Sequence, residues 1–310
     1  MTSDFSGPPE LGAVVVGIEA SRQARTAALW AATEADRRGR HLHIVHAGDT
    51  DRRAILSSTD TIQASRERAR ELLAGTADAV AERFPRLTVT KELSRQEPVA
   101  GLYAAAGNLG TIVVGSRGLG GFGALMLGSV SLGVVSRTKV PVTVVRGEPG
   151  RTETGTITAA VYGASDLDWL MVAAAEAQVR RASLRLLSVC NVLAHVGSVT
   201  TMLDDVGGIA EQRVHEVAAM ADRVRARYPG LTLTHHVETG TSVPGVLVEA
   251  TADTDLLVMG SRHQVLRAGP ALGRVSHALL HHGRCPVEII PPDFAVAGDG
   301  PRWLHSWATC

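Results

Sequence analysis

The sequence predicts an α/β protein made of two tandem modules, each with a five-stranded parallel sheet wrapped by helices. Three observations predict it: the length, an internal repeat, and an alternation of short β-branched runs with longer amphipathic stretches. At 310 residues, the chain has room for two average domains. The repeat appears where IVVGSR (112–117) returns as LVMGSR (257–262). A nearly constant displacement of about 145 residues along the chain indicates that one unit has been duplicated.

The repeat also predicts where the modules begin and end. PVTVV (141–145) returns as PVEII (286–290), so each module closes on the same strand and the two are joined near Gly147–Gly155. The polar start and the weakly periodic end of the chain lie outside the repeat. The predicted order is a flexible start, a first module, a second module and a mobile tail, at 1–11, 12–147, 156–292 and 293–310.

In the first module, short runs rich in valine, isoleucine and leucine alternate with alanine-rich amphipathic stretches, as in a parallel sheet covered by helices. The predicted strands are Ala13–Ile18, Leu42–Ala47, Leu87–Leu93, Thr111–Gly115 and Val142–Arg146. The predicted helices are Arg22–Arg38, Asp60–Arg83, Pro98–Gly107 and Ser129–Arg137. The strands show little alternation of polarity, which is typical of strands buried on both faces.

The second module repeats this pattern. Its predicted strands are Ile157–Tyr162, Leu184–Cys190, Leu231–Glu238, Leu256–Gly260 and Val287–Ile290. In an open α/β sheet, ligands bind beyond the carboxyl ends of the strands, at the point where the strand order reverses. We therefore expect any ligand at that edge of each sheet.

Composition limits the functions to be considered. Thirty-one basic residues balance 31 acidic ones and aromatic residues make up 4%, which argues against a nucleic-acid-binding protein. Three widely spaced cysteines do not form a disulfide framework and favour a reducing compartment. No apolar run approaches the roughly 20 residues of a membrane span, and the N-terminus does not resemble a signal peptide. We expect a cytoplasmic protein without a membrane partner.

A glycine-rich loop follows the fourth strand of the first module, in GSRGLGGFGALMLGSVS. Gly115 opens it, and four more glycines follow by Gly123. Glycines allow backbone N–H groups to approach an anion, and the helix that begins near Ser129 offers further N–H groups and the positive end of its dipole. Ser129 and Ser131 add hydroxyls, and Arg117 adds a positive charge. The loop therefore predicts a phosphate site.

The glycine-rich loop also allows other interpretations. A glycine-rich stretch can be a plain surface loop, and Ser129 can serve only as a helix cap. A Walker A loop is excluded because no GK[ST] follows, and the dinucleotide fingerprint lacks its acidic residue about 20 positions on.

Two other kinds of site are disfavoured. A metal site at His281, His282 and Cys285 is disfavoured because adjacent helical residues point in different directions. A Ser-His-Asp hydrolase is disfavoured because no GxSxG elbow is present.

Gly115-x2-Gly118-x9-Gly128-Ser129 resembles the G-x2-G-x9-G-[S/T] signature of the ATP-binding branch of the universal stress protein family. VVVGIEAS (14–21), IVHA (44–47) and the closing KVPVTVV (139–145) fit the same family. The resemblance covers both modules and the tandem arrangement common in actinobacteria. It implies Rossmann-like modules of the adenine nucleotide alpha hydrolase-like kind. It also implies an intramolecular pseudo-dimer in which Val142–Val145 pairs with Val287–Ile290.

The resemblance also implies a function: family members bind ATP or related adenine nucleotides, act as stress-linked regulators and are at most weak ATPases. Glu19 and Gly17 would flank the base and ribose, with Ala47 against the base. Glu19 departs from the aspartate that is usual in the family. The full set of expected nucleotide contacts is Gly17, Glu19, Ala47, Gly115, Ser116, Arg117, Gly118, Gly121, Gly128, Ser129, Val130 and Ser131.

The second copy of the loop keeps the spacing and loses the chemistry. It reads Gly260-x2-His263-x9-Gly273-Arg274, so a ring replaces a glycine and an arginine replaces the hydroxyl. Ser165 is expected where the nucleotide-facing acid of the first module stands. The sequence predicts a degenerate module, and whether it binds any nucleotide stays open.

Three functions follow from these features. The first is an ATP-binding stress-response regulator, with ATP and Mg²⁺ in module 1 and an unknown protein partner. The second is a slow ATPase or phosphoryl-transfer enzyme, which needs a base or water-orienting residue near the γ-phosphate, and no catalytic residue is found. The third is a nucleotide-free assembly scaffold. A homodimer of chains is left open.

Overall fold

The computed structural model describes residues 12–48, 58–117, 127–146, 152–191, 203–261, 264–266, 269–291 and 294. In module 1 the strands are β1 (Val14–Gly17), β2 (Leu42–Ala47), β3 (Val89–Ser94), β4 (Thr111–Gly115) and β5 (Val142–Val145). Its described helices are α1 (Arg22–Arg37), α2 (Thr59–Arg83), α3 (Pro98–Ala106) and α4 (Ser129–Val135). The predicted elements are present. Strand β3 begins two residues later than expected because the Leu87 N–H donates to the Phe84 carbonyl in a turn.

Module 2 repeats the same order. Its main strands are β6 (Thr156–Ala160), β7 (Ser183–Asn191), β8 (Leu233–Gly240), β9 (Leu256–Gly260) and β12 (Val287–Ile290). Its described helices are α5 (Leu167–Arg180), α6 (Leu203–Arg227), α7 (Val243–Ala250) and α8 (Arg274–His282). Three features were not predicted: 3₁₀ turns at Ala164–Asp166 and Thr251–Asp253, and a short hairpin of β10 (Gln264–Leu266) with β11 (Gly269–Ala271). Within the described residues, no helix is long and apolar enough to cross a membrane.

Local sequence explains where helices α1 and α3 begin. Ser21 caps α1 by accepting the Ala24 N–H at 3.1 Å. Glu97 caps α3 in the same way, through the Ala100 N–H, and Pro98 occupies the first helical position, where no N–H is needed. These caps fix the angle at which each helix leaves the sheet.

Ten strands form one continuous sheet in the order β3-β2-β1-β4-β5-β12-β9-β6-β7-β8. All neighbours within a module are parallel, and β5 pairs antiparallel with β12, with Val144 opposite Val287. The predicted α/β fold and the internal pairing of the two last strands are confirmed. This pairing covers two sheet edges that would otherwise be exposed.

The two faces of the β5–β12 junction differ. On one face Val142, Val144, Val287 and Ile289 belong to a single apolar core that continues into the helices of both modules. Strand side chains alternate between faces, so Thr143 and Glu288 point the other way. There, buried charged groups of α1 and α5 meet between the modules, including Glu34 and Glu176.

Candidate functional site

The strand order of module 1 reverses between β1 and β4. Strand β1 continues through α1 to β2 on one side, whereas β4 leads to β5 on the other. Val16 lies beside Val113, so the two strands end together, at Gly17 and Gly115. The expected nucleotide contacts Gly17, Glu19, Gly115 and Ser116 therefore meet at one edge of the sheet. This is the crevice in which α/β proteins bind ligands.

Both strand-end glycines are closely packed. A Cβ on Gly115 would lie 3.0 Å from the backbone carbonyl of Gln23, in the first turn of α1. A Cβ on Gly17 would lie 3.1 Å from the methyl groups of Leu102. Packing against backbone therefore favours glycine at Gly115, whereas at Gly17 the leucine side chain has only to shift by a few tenths of an ångström.

The start of α4 offers hydrogen-bond donors. Gly128, the residue before the helix, has extended backbone (φ −74°, ψ 153°), and its N–H donates to the Ser116 carbonyl at 2.9 Å. Because glycine has no side chain, no side-chain group caps the start of α4. Ser129 is exposed and Val130 half-buried. The N–H groups of the first helical turn have no acceptor one turn back, so this end of α4 suits an anion.

The Ser131 hydroxyl makes a contact that was not expected. Its side chain is buried, and its hydroxyl donates to the Gly115 carbonyl at 2.6 Å. A hydroxyl has one proton, so in this conformation the proton ties α4 to β4 and is not directed toward a phosphate. The Ser131 backbone N–H, in the first turn of α4, keeps its orientation along the helix axis.

Glu19 is held at the start of α1. The Ser21 hydroxyl donates to Glu19 Oε1 at 3.0 Å, while Ser21 Oγ accepts the Ala24 N–H. A contact that the sequence did not reveal lies beside it: His46 Nδ1 is 2.8 Å from the Ile18 carbonyl and joins β2 to the β1–α1 turn. The IVHA segment carries this histidine, and only the register of β1 with β2 shows its partner.

Four other expected contacts remain, of which the structure describes two. Ala47 ends β2 and packs close to Gly101 of α3, where an added Cβ would be 3.3 Å away. Arg117 is half-buried and has no ion-pair partner among the described residues. Gly118 and Gly121 lie outside the described residues.

A cavity of about 620 Å³ lies next to Glu19 but on the helix side of the β1–α1 turn. It runs between α1 and α2 and is lined by Ile18, Arg22, Leu29, Leu72 and Gly75 as well as Glu19. No described residue of the glycine loop lines it. The cavity is therefore separate from the predicted phosphate site, and Glu19 is the expected contact they share.

Module 2 differs at the position of Glu19. Val14 lies between Leu42 and Thr111 in module 1, as Ile157 does between Leu184 and Leu256 in module 2, so β6 follows β1 at a displacement of 143. This register places Tyr162 where Glu19 stands. The expected assignment of that position to Ser165, which corresponds to a displacement of 146, was wrong.

The loop after β6 is closed by its own residues. The Asp166 carboxylate accepts the backbone N–H groups of Tyr162 at 2.6 Å and Gly163 at 3.3 Å. Tyr162 is 57% exposed, and the Arg213 guanidinium lies 4.4 Å from its ring centre. Position 162 therefore presents an aromatic ring paired with a cation, where module 1 presents a carboxylate.

A tryptophan fills the space beside the last residue of β9. A Cβ on Gly260 would lie 2.5 Å from Trp169 Nε1, and Trp169 is buried. The indole therefore occupies the place against Gly260 that the backbone of the first turn of α1 occupies against Gly115. Beyond Gly260, β10 and β11 pair with each other and satisfy their own backbone groups, while His263 lies outside the described residues.

Comparison with known proteins agrees with this architecture. The model of the universal stress protein family matches residues 11–146 and again 156–291. Universal stress protein Rv2005c of Mycobacterium tuberculosis is 28% identical over 298 residues, which is 92% of this chain and 99% of that protein. A universal stress protein of Archaeoglobus fulgidus has the same fold, with a TM-score of 0.63, 16% identity and coverage of 90% of this chain and 98% of the other.

Proposed function

The chain belongs to the universal stress protein family, and from that premise we propose that it is an ATP-binding stress-response regulator with one nucleotide site, in module 1. One observation carries the proposal. The uncapped first turn of α4 lies at the strand switch point, next to the strand end at Gly115, inside the full Gly115-x2-Gly118-x9-Gly128-Ser129 spacing. This combination supplies backbone donors and a helix dipole where a nucleotide's phosphates need them.

In this proposal each part of the nucleotide has its own set of residues. Glu19 accepts hydrogen bonds from the ribose, and Ala47 lies against the base. The N–H groups of Ser129 and Val130, the Ser129 hydroxyl and the Arg117 guanidinium bind the phosphates. Gly118 and Gly121 extend the loop around them, and Ser131 holds the loop's two ends together through Gly115.

Mg²⁺ fits this site as a companion of the phosphates. The loop from Gly115 to Ser131 contains no carboxylate, so the phosphate oxygens and water would provide the metal's ligands. Bound Mg²⁺ would neutralise part of the phosphate charge, and the chain's own residues would orient the phosphates. The loop also contains no histidine to serve as a base, so the proposal is for binding and regulation rather than turnover.

We further propose that module 2 does not bind nucleotide. Trp169 fills the space beside Gly260, Tyr162 replaces the carboxylate, and the hairpin of β10 and β11 uses its own backbone groups. The expected stoichiometry is one nucleotide per chain. A nucleotide that orders the loop of module 1 would change a surface for a protein partner, provided that the ligand favours one of the loop's states.

A matched pair of proline variants tests the proposal. Ser129→Pro removes one N–H and one hydroxyl at the first position of α4, a position that tolerates proline. The preceding Gly128 already has the extended backbone that proline requires. Arg274→Pro is the control, since Gly273 has the same geometry (φ −61°, ψ 155°) at the start of α8 in module 2.

The measurement is the nucleotide released on denaturation and the ATP affinity by calorimetry. We expect one adenine nucleotide per wild-type chain, an affinity loss of about 10- to 100-fold in Ser129→Pro, and no loss in Arg274→Pro. Two nucleotides per chain would contradict the proposal for module 2. No nucleotide after incubation with ATP would contradict the proposal for module 1 and favour a scaffold.

A further inference from the structure

Arg146 of module 1 joins the end of α8 in module 2 to the edge of module 1 where a ligand is expected. This residue follows β5, and its guanidinium donates to three carbonyls at the end of α8: Gly283 at 3.0 Å, His281 at 2.7 Å, and Leu280. Because β5 and β12 are antiparallel, the carboxyl end of β5 lies beside the amino end of β12. The last turn of α8, which precedes β12, is thereby fixed at the edge of module 1 that carries the glycine loop.

Three imidazoles occupy this last part of α8. The rings of His277 and His281, four residues apart, are stacked with their centres 4.1 Å apart, and the rings of His281 and His282 are 6.2 Å apart. His277 and His282 are exposed and His281 is half-buried. We call these three histidines, together with Arg117 and Arg146, the cationic edge.

No acidic group is among the described residues whose charges act on His281. Burial lowers the pKa of His281, and the charges of His277, Arg146 and His282 lower it further. Burial also lowers the pKa of Arg146, Arg117 adds to the effect, and the Cys285 thiol opposes it. The groups facing His281 from its own helix and from the end of β5 are therefore basic, and helix α7, which packs against α8, carries the exposed Glu249.

We infer that the cationic edge binds a phosphoryl group, namely the terminal phosphates of the nucleotide held in module 1. This inference rests on the proposed nucleotide site and adds that module 2 forms one wall of it. Phosphate oxygens accept from imidazolium N–H groups and supply the negative charge that the described protein groups do not. A nucleoside monophosphate would be too short to use this wall, so the cationic edge favours triphosphate over monophosphate.

The inference predicts a pH dependence with a definite sign. Binding a phosphoryl group favours the charged imidazolium, so the part of the triphosphate affinity that depends on these histidines increases as the pH falls. The phosphate of a nucleotide itself gains a proton near about pH 6, so the prediction concerns the difference between the wild type and a variant without these histidines at the same pH. Monophosphate affinity should be the same in both proteins at each pH.

Calorimetry on the full chain, with ATP, AMP and tripolyphosphate at pH 5.8 and 7.8, tests this. The variant combines His277→Asn with His281→Asn, and the control is His236→Asn, an exposed histidine on the far edge strand β8. We expect the double variant to bind ATP about tenfold more weakly than the wild type at pH 5.8 and by a smaller factor at pH 7.8, with AMP affinity at each pH and the urea midpoint equal to those of the wild type.

The outcomes separate this inference from the proposed function. A double variant whose ATP affinity equals that of the wild type, or falls below it by the same factor at both pH values, would overturn the inference while leaving the nucleotide site intact. If ATP does not bind but tripolyphosphate binds in a histidine-dependent way, the proposed function fails and the edge takes free phosphoryl anions. If neither anion binds, both are overturned.

Discussion

Replacing Glu34 by glutamine should stabilise the protein above neutral pH, because burial at the junction between the modules opposes ionisation of this carboxyl more strongly than the neighbouring guanidinium groups favour it. Arg180 lies 2.7 Å from Glu34 and Arg38 lies 2.8 Å from Glu176, so each helix pairs with the other module. Glu288 of β12 is a third buried carboxyl, 3.9 Å from Arg38. Arg37, which is partly exposed, lies 3.5 Å from Glu34.

The surroundings of each carboxyl determine which one holds a proton. The pKa of Glu34 is raised from 4.5 to about 7, mainly by burial and also by the charge of Glu176 and a hydrogen bond between the two carboxyls, against the opposing effect of Arg180 and Arg38. Arg38 and Arg180 together outweigh burial at Glu176 and lower its pKa. Glu34 is therefore the group that titrates near neutrality.

The sign and size of the effect follow. A carboxyl with a raised pKa in the folded state contributes stability that is complete below pH 4.5 and is lost as the pH rises through about 7. Each tenfold change in proton affinity corresponds to about 1.4 kcal/mol, so the loss is on the order of 3 kcal/mol. Glu288, whose pKa burial also raises, acts in the same direction, whereas Glu176 acts only below its ordinary pKa.

Urea unfolding at pH 5, 6, 7 and 8, followed by circular dichroism, measures this. The wild-type free energy of unfolding should fall from pH 5 to pH 8, and Glu34→Gln should flatten most of that fall, leaving the smaller slope due to Glu288. Asp36→Asn is the control, since Asp36 is an exposed acid two residues along the same helix. Glu34→Gln less stable than wild type at pH 8 would refute the reasoning, because the carboxylate would then be a net stabilising partner of Arg180.

Three further predictions concern the junction and module 2. Arg180→Met should lower the free energy of unfolding by about 3–5 kcal/mol at pH 8, since Glu34 and Glu176 lose a buried partner; an unchanged urea midpoint would contradict this. Gly260→Ala should lower the melting temperature by several degrees because its methyl meets Trp169, and adding Trp169→Leu should restore part of the loss if the indole is the obstacle. Asp255→Ala should cost about 1–3 kcal/mol and speed proteolysis between the modules, because Asp255 accepts the N–H groups of Thr154 and Gly155 at 2.6 and 2.7 Å; Asp222→Ala, an exposed acid, should do neither.

Much of the fold was predictable because each buried strand corresponds to a short continuous stretch of apolar residues. Val142–Val145 and Val287–Ile290 are short, apolar and nearly free of alternation, so the sequence predicts buried strands. The family resemblance added that they pair with each other, and the antiparallel register of Val144 with Val287 confirms it. The glycine loop was visible for the same reason: its spacing is local.

Contacts that depend on register were not predictable. Tyr162 takes the position of Glu19 because β6 is displaced from β1 by 143 residues, whereas the glycine loops are displaced by 145. Two apolar strands look alike after a shift of two residues, so the sequence alone does not show the difference. Glu34 and Glu176 likewise look like ordinary helical acids when taken separately. Only the packing of α1 beside α5 across the junction shows that their partners lie in the other module.

The junction also explains why a second module that has lost the loop chemistry would still be retained. Module 1 alone would expose the apolar edge of β5, leave Glu34 without Arg180, and leave Arg146 without the carbonyls of α8. Each loss affects a different part of the structure: the sheet, the helices on one face, and the edge that carries the glycine loop.

Because the two copies are joined in one chain, the loop of the second module can change as long as β12, α5 and α8 still contact module 1. The changes at Tyr162 and Trp169 fall in the ligand edge of module 2 and spare all three of those contacts. The proposed single site in module 1 is consistent with this pattern: module 2 keeps the elements that contact module 1 and differs from module 1 at the edge where a ligand of its own would bind.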